Sequence, residues 1–168
     1  MFSGDSTHNL DAKHRVFVPK RFQEVLDRDG NGQLSVVVTR GFEKCLFLFS
    51  ASGFAEVLAR LQTQPFGGSE LRKMQRLFFS NTHKTQLDAS GRLVLPPKLR
   101  KFAGITKEVV LVGVADRAEI WDREAWERFE EENEDSFDDL DVVLVGASPN
   151  PPVQPPAAGP AGPPGAGG

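Results

Sequence analysis

Apolar and polar positions along this chain fall into two rhythms, alternation suited to short strands and three-to-four spacing suited to short helices. The order of these rhythms occurs twice. Residues 7–10 and 15–18 read as a short hairpin, and Pro19 opens a one- or two-turn amphipathic helix, Lys20-Arg21-Phe22-Gln23-Glu24-Val25-Leu26, that Asp29-Gly30-Asn31-Gly32 breaks. Residues 34–39 and 45–49, rich in apolar and β-branched side chains, read as a second hairpin across 40–44. The second pass has strands at 84–87 and 92–95, then a helix from Pro96 or Pro97 to Phe102 stopped by Ala103-Gly104, then strands at 108–114 and 118–121. Helical stripes follow each pass: Phe54, Val57, Leu58 and Leu61 after the first, Trp126 and Phe129 after the second. Between them residues 70–78 predict a further helix with Leu71, Met74, Leu77 and Phe78 on one side.

A repeat in the residues themselves underlies this order. Leu10-Asp11-Ala12-Lys13-His14-Arg15-Val16-Phe17-Val18-Pro19 returns 77 positions later as Leu87-Asp88-Ala89-Ser90-Gly91-Arg92-Leu93-Val94-Leu95-Pro96, with Leu, Asp, Ala, Arg and Pro in place. A unit this small cannot bury a core alone, so the two copies must interlock. The expected fold is α+β, mainly β: a pseudo-two-fold barrel in which the copies exchange strands, with short flanking helices. Two hairpin sheets side by side are the alternative. The expected organisation is a first repeat at 5–51, connecting helices at 52–80, and a second repeat at 81–124. An acidic helix with a short apolar segment follows at 125–146, and a Pro/Gly/Ala tail at 147–168. Gly, Pro and Ala make up 18 of the 22 tail residues, too little apolar surface to offset ordering, so disorder is expected there. The apolar run 142–145 fits either an added strand or a docking segment.

A net charge of −3 speaks at first against a polyanionic partner, but its distribution reverses that reading. Residues 1–117 hold 18 Lys and Arg against 11 Asp and Glu, whereas residues 118–168 hold 2 against 12. A basic body with an acidic end is compatible with DNA on one face. The chain has no apolar run long enough to span a membrane, and its start lacks the basic and apolar regions of an export signal. The single Cys45 can form no internal disulfide and has no His cluster beside it for a metal, so it reads as a buried residue of an intracellular protein. Phosphate-loop, nucleophile-elbow and H-E-x-x-H motifs are missing from the sequence.

In each copy three residues separate Asp from Arg, the length of a hairpin loop whose last position is left-handed. Gly91 takes that conformation freely, and His14 holds the matching place as one of the few side chains enriched there. Asp11 and Asp88 are suited to accept the turn's N–H groups. Two roles stand open for Arg15 and Arg92. They pair with Asp11 and Asp88, within or between copies, and hold the barrel shut; or, together with Lys13, they face an anionic groove, where the planar fork suits a guanine edge or a phosphate. His8 and His83 stand alone near strand starts and read as solvated or hydrogen-bonded. Arg72, Lys73 and Arg76, and Lys98, Arg100 and Lys101, read as solvated helix faces or as a phosphate-contacting rim. The acidic run from Glu130 to Asp139 reads as a solvated helix end or as a guard against stray DNA.

The opening Met1-Phe2-x-Gly4, the Leu10-Asp11-Ala12-Lys13-x-Arg15 block through Pro19, the Leu87-Asp88-x-x-Gly91-Arg92 block through Pro96-Pro97, and Glu108-Val109-Val110-Leu111-Val112-Gly113 with Glu119-Ile120-Trp121 resemble the MraZ family. The resemblance covers residues 1–130 or so. It implies a bacterial transcriptional regulator of two AbrB-like swapped-hairpin domains of double-ψ character. The regulator would assemble as a ring-shaped homo-oligomer and bind short direct repeats in the promoter of a division and cell-wall gene cluster. Position by position it places DNA contacts on Lys13, Arg15 and Arg92, with Asp11, His14, Asp88 and Gly91 shaping the loops. His14 stands where the family usually has Gly, and the tail lies outside the family pattern. The expected setting is the cytoplasm and nucleoid, with DNA and further copies of the chain as partners, and with no membrane partner, small-molecule substrate, cofactor, metal or catalytic residue. An oligomeric interaction scaffold or antitoxin-like partner without specific DNA binding is the second reading. A hydrolase using Asp11, Asp88 and His14 is the third, and it lacks a readable pairing of nucleophile and base.

Overall fold

A computed structural model describes residues 1–62 and 68–140 of the chain. Met1–Glu131 form one compact unit and a second begins at Glu132. The strands are β1 (Phe2–Asn9), β2 (Arg15–Phe17), β3 (Asp27–Arg28), β4 (Leu34–Arg40), β5 (Leu46–Ser50), β6 (His83–Gln86), β7 (Arg92–Val94), β8 (Glu108–Ala115) and β9 (Arg117–Asp122). The helices are α1 (Lys20–Gln23), α2 (Ala51–Gln62), α3 (Ser69–Phe79), α4 (Pro97–Ala103) and α5 (Arg123–Asn133), followed by a 3-10 segment, Glu134–Leu140. Local chemistry sets several of these limits. Pro97 lies at the start of α4, where its missing N–H costs nothing, and Gly104 ends it in the left-handed conformation at φ 66°.

The copies exchange their first strands. β1 pairs antiparallel with β8 of the second copy, from Phe2 opposite Ala115 to Asn9 opposite Glu108. β6 pairs antiparallel with β4 of the first copy, from His83 opposite Val38 to Gln86 opposite Ser35. β5 and β9 join the two halves, giving the order β1-β8-β9-β5-β4-β3 with β6 also on β4. The short strands β2 and β7 form their own ladder, Arg15 opposite Val94 and Phe17 opposite Arg92.

Two expectations change here. The hairpin between residues 7–10 and 15–18 does not form, because the strands on either side of each Asp turn join different ladders. An eight-residue register with β8 gives β1 far more backbone pairing than three-residue β2 offers. The sheet is also not a closed barrel: the fold is mixed α+β, mainly antiparallel sheet, and β2 and β7 pair only with each other rather than bridging its edges.

The seven-stranded sheet is covered on both faces. On one, Val36, Val38, Leu46, Leu48, Leu111 and Ile120 pack with Val16 and Leu93 of the small ladder, Phe22 of α1 and Leu99 of α4. On the other, Val37, Phe47, Phe49 and Trp121 pack with Phe54 and Val57 of α2 and Trp126 and Phe129 of α5. Burial on both sides is why β4 and β5 read as continuous apolar runs rather than alternating ones. Cys45 is buried in the second layer, and that burial raises its thiol pKa.

α3 departs from its expected single stripe. Leu71 and Phe78 are half-buried, with Phe78 stacked on Phe54, but Met74 is 61% exposed and Leu77 is exposed too. The helix is tied to the sheet near its C-terminal end, where the Thr39 hydroxyl donates to the Phe78 carbonyl, so only one row of side chains is covered. No described helix is long and apolar enough to cross a membrane. The tail at 147–168 and the run 142–145 lie outside the described residues.

Candidate functional site: the paired aspartate turns

Each D-x-x-x-R segment folds into the same rigid turn. The Asp11 Oδ1 accepts the N–H groups of Lys13 and Arg15, both at 2.9 Å, while the His14 N–H donates to the Asp11 carbonyl at 2.9 Å. In the second copy Asp88 Oδ1 accepts from Ser90 at 2.9 Å and Arg92 at 3.0 Å, and the Gly91 N–H donates to the Asp88 carbonyl at 2.8 Å. His14 and Gly91 take φ of 58° and 74°. That left-handed step aims each carbonyl at the other copy: the Val18 N–H donates to Gly91 and the Leu95 N–H to His14, both at 3.0 Å.

A third turn of this kind escaped the sequence reading. Asp29 Oδ1 accepts from Asn31 and Gln33, Gly32 donates to the Asp29 carbonyl, and Gly32 has φ 77°. Its signal was visible as D-x-x-G, but Gln33 stands where the repeats have Arg. The turn therefore forms without an arginine, and the arginines of the two repeats serve something beyond turn geometry.

What they make is a cross-braced quartet. Arg15 Nε donates to Asp11 Oδ2 at 2.7 Å and its Nη1 to Asp88 Oδ2 at 3.2 Å. Arg92 reciprocates, with Nε 2.9 Å from Asp88 Oδ2 and Nη1 3.6 Å from Asp11 Oδ2. Both pairings weighed from sequence, within a copy and between copies, are present together. The two side chains remain 22% and 33% exposed, so the brace lies at the surface and not inside the core. It is also charge-balanced, which leaves Lys13, fully at the surface, as the uncompensated cation of the first turn. Ser90 occupies the equivalent position of the second turn, so the pseudo-symmetric tips differ in charge.

Both carboxylates are held below the usual range. The Arg15 N–H is the largest cause for Asp11 and the Arg92 N–H for Asp88, with the guanidinium groups adding to each. A group with a depressed folded pKa contributes stability that is present above its unfolded pKa and lost as pH falls through the folded value. Thermal midpoints should accordingly fall as pH drops below about 4. In Asp11→Asn with Asp88→Asn the midpoint should start lower at neutral pH and decline less on acidification; an equally steep decline would assign the acid sensitivity to other groups.

The remaining candidates are placed elsewhere or already engaged. His8 Nε2 lies 3.0 Å from the Ser6 hydroxyl, with its pKa lowered by burial and then by Arg21. His83 lies on β6 with Nε2 buried and without a partner among the described residues. Lys73 pairs with Glu70 at 2.6 Å, and Arg100 Nε donates to the Leu95 carbonyl. Asp27 and Asp29 spend their carboxylates on Ser52 and on the turn N–H groups, and no metal-holding cluster of His, Cys, Asp or Glu exists among the described residues.

Two interlocked copies of one unit, sharing a braced pair of surface turns, define a tandem-repeat protein. Comparison with known families agrees: the model of the MraZ protein, described as antitoxin-like, matches residues 1–77 and again 78–146. The chain belongs to the MraZ family.

Proposed function

We propose that this protein is a sequence-specific DNA-binding transcriptional regulator. Its two copies act as AbrB-like swapped-hairpin domains, and Lys13, Arg15 and Arg92 contact short direct repeats in a promoter, that of a division and cell-wall gene cluster. The observation that carries this reading is the pair of rigid turns with two partly exposed guanidinium groups and an exposed lysine at one surface. Asp11 and Asp88 pre-orient the forks, which lowers the ordering cost of contacting a base edge or phosphate. One pair of turns makes few contacts, at about 1–3 kcal/mol for each good bidentate base contact. A ring-shaped homo-oligomer multiplies them through effective concentration and makes binding depend on the spacing of the repeats. The basic body at residues 1–117 supports the same reading.

Fluorescence anisotropy with DNA from upstream of the protein's own gene tests it. Lys13→Ala should weaken binding about equally across sequences and lower the salt dependence by about one ion per protomer, as expected for a phosphate contact. No preference for the upstream DNA at low salt would sink the proposal. A second reading, an oligomeric scaffold or antitoxin-like partner without specific DNA binding, is favoured by the charge balance of the quartet and by the exposed Met74 and Leu77 of α3. Capture of one dominant protein, with no DNA shift, would support it.

A further inference from the structure

The exchange of first strands leaves β1 and β6 as sheet edges, each pairing with one neighbour. β1 is the longer, at eight residues against four. Because the Leu10 N–H donates to Lys107 in continuation of the β1–β8 register, the even-numbered residues of β1 direct their backbone groups at β8 and the odd-numbered ones point outward. Ser3 and Asp5 belong to the outward row. An unpaired row of this kind is a template for another strand.

Arg21 occupies that template. Its Nε donates to the Ser3 carbonyl at 3.2 Å and its Nη2 to the Asp5 carbonyl. Gly4, between the two acceptors, has φ 74°, and a Cβ there would sit 3.5 Å from the guanidinium. The second copy repeats one contact at the same offset of 77 but not at a strand edge: Lys98 takes the place of Arg21 and Ser80 that of Ser3, and Lys98 Nζ donates to the Ser80 carbonyl at 3.4 Å. Ser80 caps the end of α3, whose last turn stands where the second copy would otherwise extend its edge strand.

We infer that Arg21, two residues after the proline of the first motif, is an edge guard that keeps the β1 edge closed to strand addition by a second copy of this chain. Lys98 reads from sequence as part of a solvated face or phosphate rim, but the structure engages its ammonium with the carbonyl of the residue that caps α3, and it engages Arg21 with two carbonyls of β1. Copies held off by this guard must associate through other surfaces, and the inference stands whether or not the protein binds DNA.

Arg21→Ala and Arg21→Met in the full chain test it. The methionine variant keeps an aliphatic stem for the neighbouring Phe22 ring, 5.2 Å from the guanidinium carbon, and loses only the donors. Both variants should show, by sedimentation velocity, a several-fold rise with concentration in the fraction of mass above the wild-type species. Infrared spectra should show intermolecular β-sheet accompanying that rise. If Arg21→Ala fails to fold by circular dichroism, Arg21→Met decides. A folded Arg21→Met with the wild-type mass distribution and no intermolecular β-sheet would overturn the inference.

Discussion

Replacing Arg15 and Arg92 together with alanine is expected to abolish preference for the promoter, with an affinity loss on the order of 100-fold or more at about 1–3 kcal/mol per base contact. The same variant should lose stability, since Asp11 and Asp88 would face each other's charge without the guanidinium groups that now separate them. Ion pairs at the surface are screened by solvent and contribute little, so the stability loss should be far smaller than the binding loss. Adding Asp11→Asn and Asp88→Asn separates the two effects. The asparagine side-chain oxygens still accept the turn N–H groups, as Oδ1 does now, and the carboxylate repulsion is gone. The quadruple variant should therefore recover thermal stability without recovering DNA affinity. Recovery of both would make the arginines a brace and nothing more.

Gly91→Ala should destabilise the protein by on the order of 3 kcal/mol in chemical denaturation, combining left-handed strain with overpacking. A Cβ at Gly91 would sit 2.3 Å from Nε2 of Gln23. That amide is buried and donates to the Val18 carbonyl at 2.7 Å, so it cannot move aside without losing its bond. His14→Gly, at the equivalent place, should change stability by less than about 1 kcal/mol and in the favourable direction, because the His14 side chain is exposed and only its backbone strain is relieved. Arg100 is the repeat counterpart of Gln23, and its Nε donates to Leu95 as Gln23 donates to Val18. Equal costs at the two positions would show that the asymmetry between Gln23 and Arg100 has no bearing on the turns.

This contrast explains how a histidine stands where a glycine serves in the other copy. The turn asks for a left-handed residue at both places, and the duplicated spacing makes that demand readable. Whether a side chain fits there depends on what lies above the turn, and residue 23 is remote from residue 91 in sequence. α3 teaches the same lesson. Its spacing predicts a helix correctly, yet Met74 and Leu77 lie exposed because the helix meets the sheet mainly at its C-terminal end.

From the order of residues alone came the two copies, the identity of nearly every strand and helix, the left-handed fourth position of each turn, and the family the motifs resemble. These follow from short-range physics: alternation, proline and glycine at helix limits, and an aspartate within reach of its own turn's N–H groups. Tertiary structure alone decided which strand of one copy pairs with which strand of the other, that β1 and β2 part company across the Asp turn, that Arg15 reaches Asp88, and that Arg21 closes an edge. Each of these joins residues far apart in the chain, and such contacts depend on the shared burial of two copies that neither copy can achieve by itself.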